Sequence, residues 1–484
     1  MVFRKIPIAG GIFTNNENLK TCFAFSIIIL FLGVSVAPIT QAIFTEKTNH
    51  TITNGYTFYV GGSGEGNYTM IQDAVDNAIN GDTVFVFDDS SPYYESVKVN
   101  KSINLIGENR QTTVIDSNGS GEPFFILPNT NFVNISGFTI INSEFAGIDV
   151  RSSFNSFFDN IITKNEHGGI VLYELSQNNT INGNIILSNN VSGMVILYSN
   201  NNTITGNIIS SNSNNGIYLS GSRSNSIKSN NISLNNWEGI MLFNSSSNTI
   251  SGNIISSNIG SGIIDIMGNK NRIVGNIIHS NSNNGIEHQL FSQNSTIMDN
   301  QIYSNNGSGI CIDIGFFAEN NTISKNNISS NNRAGISFKA LEKSTITNNI
   351  ISNNEYGILL TRISYNNTIS ANTISNNYHG IYLNDFSTNN TIIGNTIINN
   401  EYGVEIYHSQ QVNNILKNNF LGNKHHAYFE NGKNKWKNNY WNRPRLLPKP
   451  ILGALRISVP WPFQDIVIKW LNFDLRPALK PYDL

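Results

Sequence analysis

Two ionisable residues interrupt a pattern otherwise filled by isoleucine and leucine. Asp265 and His288 each lie three residues after a glycine, where equivalent positions hold Leu219, Leu242, Leu383 or Ile406. On adjacent turns of a repeat they would stack about 5 Å apart. Pointing inward, they form a buried pair that must satisfy itself. Turned outward by a bulge, they join Glu287 and Asp313 as an acid/base site. Structural pairing is the first reading and the site the second. Other outward carboxylates, Asp149 and Glu405, are isolated by many turns, whereas glycoside hydrolysis needs two carboxyl groups within several ångströms. Asp88-Asp89 lies outside the regular pattern, and no Gly-His-Gly or Asp-Pro-His motif is present. Outward Tyr218, Tyr382 and Tyr407 are candidate stacking residues for sugar rings. Cys22 and Cys311, the two cysteines, supply neither a disulfide framework nor a Cys-pair zinc site.

What positions these side chains is a repeat. Glycines recur at Gly147, Gly169, Gly193, Gly216, Gly239, Gly262, Gly285, Gly309, Gly335, Gly357, Gly380 and Gly403, spaced by 22 to 26 residues. One Asn column runs four residues before the glycines (Asn165, Asn189, Asn212, Asn235, Asn258, Asn281 and on to Asn353, Asn376 and Asn399). A second runs through Asn184, Asn207, Asn230, Asn253 and Asn276 to Asn418. Isoleucine stands three residues before each Asn of the second column, as in Ile181, Ile204 and Ile227, and another apolar residue follows two after it. Alternation of this kind marks short strands with one face buried. A turn of about 23 residues with three short strands is one coil of a parallel β-helix, stable only when stacked on its neighbours. The predicted fold is all-β, a single-stranded right-handed parallel β-helix. Its Asn columns are read as scaffold: corner residues able to adopt the left-handed conformation, with side chains hydrogen-bonded along the stack. This accounts for 83 Asn in 484 residues.

A solenoid needs caps. Thr69 and Gln72 read as a capping box opening a short helix that ends at Asn80-Gly81. Residues 56–140 would hold this cap and the first irregular turns, 141–432 the regular repeats, and 433–484 an irregular C-terminal cap rich in Trp and Pro. That last segment is expected to plug the final turn, with docking to a surface protein as the alternative.

A net charge of −2 with 13% charged residues leaves no footprint of a nucleic-acid binder. Arg4, Lys5 and Lys20 precede the apolar stretch Cys22–Val36, so residues 1–43 read as a secretory signal or an N-terminal membrane anchor, the only membrane contact expected. Asn-x-Ser/Thr triplets at Asn49, Asn67, Asn178, Asn201, Asn294, Asn366 and Asn389 arise readily by chance in so Asn-rich a chain.

Met70-Ile71-Gln72-Asp73-Ala74 through Gly81-Asp82-Thr83, with Tyr94-Glu95, Ile103–Gly107 and Val114-Ile115-Asp116, resembles the opening segment of right-handed parallel β-helix proteins. The turns resemble NosD-like, carbohydrate-binding and sugar-hydrolase repeats of the pectin-lyase-like superfamily, and Asn439–Asn442 is similar to the closing segment of such repeats. The resemblance implies the fold. For function it implies a range of lyases, glycosidases, epimerases, copper-site maturation proteins and adhesins. A copper site would want clustered Met, His or Cys, yet the adjacent pair His425-His426 points to opposite faces of a strand. No cofactor is expected, calcium and copper staying open but unsupported. The expected function is an exported, surface-associated scaffold that binds polysaccharide or envelope glycan without catalysis. The alternatives are a polysaccharide lyase, epimerase or glycosidase, and an accessory protein of copper-site assembly.

Overall fold

The structure, a computed structural model, describes residues 55–409, 412–457, 459 and 465–484. The expected signal or anchor, the triplet at Asn49, and Pro460, Trp461 and Pro462 lie outside these residues. Among the described residues no helix is long and apolar enough to cross a membrane.

The chain winds as a right-handed parallel β-helix. Each turn contributes one strand to each of three sheets, as in Ile217–Ser220 (sheet I), Ser226–Lys228 (sheet II) and Asn231–Ser233 (sheet III). Parallel pairing keeps like residues in register, so Ile204 meets Ile227 and Ile227 meets Ile250. The same isoleucines line a continuous interior with no exposed surface. Repetition at 23 residues therefore becomes a stack of identical apolar side chains.

Three Asn ladders close the corners. Asn230 Oδ1 accepts from both the backbone N–H and the side-chain amide of Asn207 at 2.9 Å, while its own amide donates to Asn253 Oδ1 at 3.0 Å and to the carbonyls of Ile204 and Lys228. The amide-to-amide bonds of a ladder thus run toward its C-terminal end, while the same amides also donate back to carbonyls of the preceding turn. The third ladder runs through Asn179, Asn202, Asn225 and Asn248 to Asn271. The left-handed corners belong to the residue before each ladder Asn, such as Ser229 at φ 55° and Ser188 at φ 54°, and not to the ladder Asn itself. This frees the Asn side chain to turn inward under the strand. Asn178, Asn201, Asn294, Asn366 and Asn389 occupy such left-handed corners and are exposed. Over the last turns the first column shifts by one residue: Asn354, Asn377 and Asn400 carry the ladder, while Asn353, Asn376 and Asn399 become the left-handed corners. The glycine column answers a different need, close packing. A Cβ on Gly216 would come within 2.5 Å of Ile232 Cγ2, 2.6 Å of the Gly239 carbonyl and 3.0 Å of Asn235 Nδ2.

At the N-terminal end the helix Ile71–Asn77 buries Ile71, Ala74 and Val75 against the first turns. The expected capping box does not form. Met70 is the N-cap without a side-chain bond, and Glu95 instead accepts from the N–H groups of Ile71 (2.8 Å) and Gln72 (2.9 Å). A carboxylate supplied by the next turn does the work of a local cap.

The C-terminal end is more regular than its composition suggests. Trp436 and Trp441 take core positions in register with Ile415 and Phe420, and the Phe420 and Trp441 rings stack at 4.3 Å. Beyond them Lys449–Ile457 and Ile466–Asp474 form an antiparallel hairpin that extends sheet I. Trp470 is an exposed residue of this hairpin and not part of a plug. The hairpin returns Asp474 to the fold, where it is fully buried and terminates the ladder ending at Asn439. It accepts from Asn439 N–H and Nδ2, Trp441 Nε1, and the N–H groups of Asn438 and Arg476.

Candidate functional site

Asp265 and His288 face each other in register on sheet I, both fully buried, with Asp265 continuing the column of Leu242. No bulge turns them out. Their nearest approach, His288 Nε2 to Asp265 Oδ2, is 3.9 Å, too long for a hydrogen bond. Burial raises the Asp265 carboxyl to about 7, against a lowering contribution from Asn271, and burial lowers the His288 imidazole to about 4. Both are thereby driven toward the neutral form. The reason for an inward aspartate lies in the adjoining ladder: where Asn271 should donate to another Asn, the next turn has Ser295. Asn271 Nδ2 donates to Asp265 Oδ2 at 3.0 Å instead.

Asp313 does not join them. It pairs in register with Gln289, faces outward, and forms an ion pair with Lys339. Glu287 is outward but nearly enclosed, accepting from Ser261 Oγ (2.7 Å), Asn284 Nδ2 (3.0 Å) and Gln289 Nε2 (2.6 Å). Beside it, burial pushes the Cys311 thiol up to about 12, a level at which it is no nucleophile. Asp149 is occupied by Arg151 at 3.2 Å, whose guanidinium lies 4.9 Å from the ring centres of both Phe125 and Tyr173. Glu287, Asp149 and Asp313 are structural in kind, each held by a side chain of its own or a neighbouring turn, whereas Asp265 Oδ1 and both His288 ring nitrogens are buried without a hydrogen-bond partner.

A different cluster occupies the same sheet near its C-terminal end. The residue preceding the glycine, or its equivalent, is Tyr356, His379, Tyr402 and His425 on four successive turns, in register. Their rings stack along the axis at 4.7, 5.4 and 4.9 Å, with interplanar angles under 20°. Tyr382 meets Tyr356 and His379 edge-on, then leads through Tyr407 to Tyr428 at 5.3 and 5.6 Å. Of the three tyrosines expected to stack on sugars, Tyr382 and Tyr407 therefore adjoin, whereas Tyr218 lies many turns away, in register with Val195 and Met241.

Glu405 sits among these rings with almost no exposure, held between His379 Nδ1 and Tyr407 Oη, the latter donating at 3.1 Å. Glu430, one turn on, accepts from Arg456 Nε at 2.8 Å and lies 3.4 Å from His408 Nε2. Burial, then Tyr356 and Glu405, push the Tyr382 phenol up to about 12, and Tyr407 is raised by burial and then by Glu405. Both phenols thus stay protonated as hydrogen-bond donors. An imidazole whose Nδ1 is fixed by a carboxylate is oriented, with its other nitrogen left to act as base or donor. Glu405 is isolated in sequence from other carboxylates, and its partners are an imidazole and a phenol from the preceding turn and its own. The signal that was present is the change from small or polar residues (Ser308, Ala334) to Tyr and His at one column over four consecutive turns.

Donors for copper are not gathered. Among the described residues no three His, Cys, Asp or Glu side chains are placed to hold a metal ion. His425 stacks on Tyr402 outside the coil, while His426 faces Phe420 and Trp441 inside it, its imidazole lowered to about 4 by burial and then by Lys449 and Arg445. The residues present do not fit a soft-metal site.

Solved structures of low identity resemble the chain over part of its length. The chain is similar to the A-module of the Azotobacter vinelandii mannuronan C-5 epimerase AlgE6 (14% identity, 71% of this chain and 89% of that one, TM-score 0.47). It is also similar to the catalytic unit of a GH87 alpha-1,3-glucanase from Streptomyces thermodiastaticus strain HF3-3 (15%, 61% and 64%, TM-score 0.48). A third is a mannuronic acid specific polysaccharide family 6 lyase from human gut microbiota (14%, 62% and 84%, TM-score 0.44). No curated protein matches the chain. The right handed beta helix region matches residues 193–338. The family described as periplasmic copper-binding protein (NosD) matches residues 75–238 and 316–453, more than half of the sequence, and the chain belongs to this NosD family of β-helix proteins.

Proposed function

We propose that the protein is an exported β-helix that binds polysaccharide on the aromatic face of its last turns and holds it without transforming it. The observation that carries this reading is the continuous cluster of Tyr356, His379, Tyr382, Tyr402, Tyr407 and Tyr428 around Glu405 and Glu430. Sugars combine apolar C–H faces with hydroxyl rims, and aromatic rings beside fixed carboxylates and phenols match both. Export is supported by Arg4, Lys5 and Lys20 ahead of the apolar stretch from Cys22 to Val36.

A second reading, acid/base processing of the bound glycan, is favoured by one feature, the Glu405–His379 pair beside Tyr382. One experiment separates the two. The protein is passed over immobilised acidic and neutral polysaccharides while new reducing and unsaturated ends are measured. Binding predicts retention that weakens about tenfold in Tyr402→Ala and Tyr382→Ala and survives Tyr218→Ala. Retention indifferent to the ring substitutions would discard it. Products that vanish in His379→Gln, with retention kept, would establish the second.

A further inference from the structure

Beyond the glycan face, the C-terminal end carries a groove of about 440 Å³ between the last turn and the strand Ile466–Asp474. Three nitrogen donors of its lining, Asn434 Nδ2, Trp436 Nε1 and Asn472 Nδ2, are buried without any acceptor. Asn434 and Trp436 are themselves more than nine-tenths buried. The orphan at Asn434 follows from ladder polarity. Asn413 donates to Asn434, and Asn434 is the last rung, so its amide has nothing above it. The neighbouring ladder solves the same problem with the Asp474 carboxylate, whose two oxygens are already taken by five N–H groups. Lys435, Lys437 and Arg476 also line the groove, and its lining contains no carboxylate. Three cations at a groove without a carboxylate call for an occupant that carries negative charge.

The opposite wall is apolar: Leu471, Phe473 and Leu475 are each about half-exposed or more. They continue into a hairpin with exposed apolar residues on both faces, Ile457, Ile466, Ile468 and Trp470 on one and Leu452, Val467 and Leu471 on the other, the latter beside Arg456 and Lys469. A protein docking face-on would cover one side of such a hairpin, whereas immersion in a hydrocarbon boundary covers both. Charge agrees. Residues 433–484 hold ten Lys and Arg against three Asp, while the rest of the chain holds twenty against twenty-nine acidic residues.

We propose that this end binds an anionic phospholipid surface, the groove taking the headgroup and the hairpin entering the interface. A polybasic and apolar pair of signals is what stable peripheral attachment requires.

The test uses the full chain with vesicles of brominated phosphatidylglycerol in phosphatidylcholine, and with brominated phosphatidylcholine alone. Because the apolar stretch near the N-terminus could hold the chain to either vesicle, the reading is local: quenching of Trp emission that disappears in Trp470→Phe. The expected result is Trp470-dependent quenching in the anionic vesicles, its apparent affinity falling about tenfold or more in Lys435→Gln/Lys437→Gln/Arg476→Gln and weakening with salt. These three side chains are exposed, and an unchanged melting curve for the variant confirms that it folds. Vesicle binding without a Trp470 component overturns the proposal, as does quenching of equal strength in the neutral vesicles. Inorganic phosphate that protects the groove while vesicles give no quenching overturns the membrane assignment in favour of a free anion. A dimer in light scattering that dissolves in Leu471→Ser, again without quenching, assigns the hairpin to a second copy of the chain.

Discussion

The neutral Asp265/His288 pair makes a test by pH that a charged pair would fail. Asp265, at about 7 in the fold, holds a proton that the unfolded chain releases near 3.9. Its contribution to stability is full below about pH 4 and is lost as pH rises through 7. His288, at about 4 in the fold, lacks a proton that the unfolded chain binds below about 6.5. Its contribution is full above 6.5 and is lost as pH falls through 4. Between about pH 4 and 6.5 the two slopes oppose and cancel, so the parent protein should be nearly indifferent to pH there. Removing one partner exposes the slope of the other, because burial and not the partner is the leading cause of each shift. His288→Leu should lose stability as pH rises from 4 to 7, by roughly 4 kcal/mol in all, and Asp265→Leu should lose roughly 3 kcal/mol as pH falls from 6.5 to 4. The double variant Asp265→Leu/His288→Leu, which extends the column of Leu242, should be flat with pH and at least as stable as the parent. Urea unfolding followed by far-UV circular dichroism at pH 4.5, 5.5 and 7 reads all four proteins. If both single variants stay as flat as the parent, the reasoning fails. Slopes of reversed sign would mean that the pair is ionised in the fold.

Three further outcomes follow from the scaffold. Asn230→Ala removes the acceptor of two Asn207 N–H groups inside the coil and should destabilise the protein by about 2–5 kcal/mol, seen as an earlier urea midpoint; a shift under half a kcal/mol would deny the ladder its weight. Gly216→Ala forces a methyl group against the Gly239 carbonyl and Ile232 and should cost about 1–3 kcal/mol, whereas alanine at Ser213, an exposed loop position, should cost almost nothing. Asp474→Asn replaces an acceptor by a mixed group facing five N–H donors, so limited proteolysis should cleave within residues 443–484 faster than in the parent. Unchanged cleavage there would show that the hairpin is held by other contacts.

Much of the fold was legible because a solenoid writes its geometry into a period. Isoleucine three before an Asn is inward on every turn, and the sequence alone places it. What was not legible depends on exchange between turns. The helix cap comes from Glu95, more than twenty residues away, and no local spacing such as that of Thr69 and Gln72 encodes it. Left-handed corners fall one residue before the expected Asn because the ladder requires its side chain to point inward while the chain still turns. Aspartate at 265 could be seen as an exception, but its cause, Ser295 replacing an Asn, lies in another column. The aromatic cluster was half visible: Tyr382 and Tyr407 stood out as single residues, while the His379 and Glu405 link crosses turns and emerges only when they are stacked.

The direction of the amide-to-amide bonds in the Asn ladders also makes the two ends of the coil chemically unlike. As the chain is made from its N-terminus, each new turn offers carbonyl acceptors to the turn beneath and leaves its own amides seeking the next. Asp474 accepts and donates nothing onward, so the ladder that runs through Asn418 to Asn439 is closed by a carboxylate and offers no amide beyond it. A chain truncated before residue 474 would leave Asn439 N–H and Nδ2 and Trp441 Nε1 without the acceptor they share.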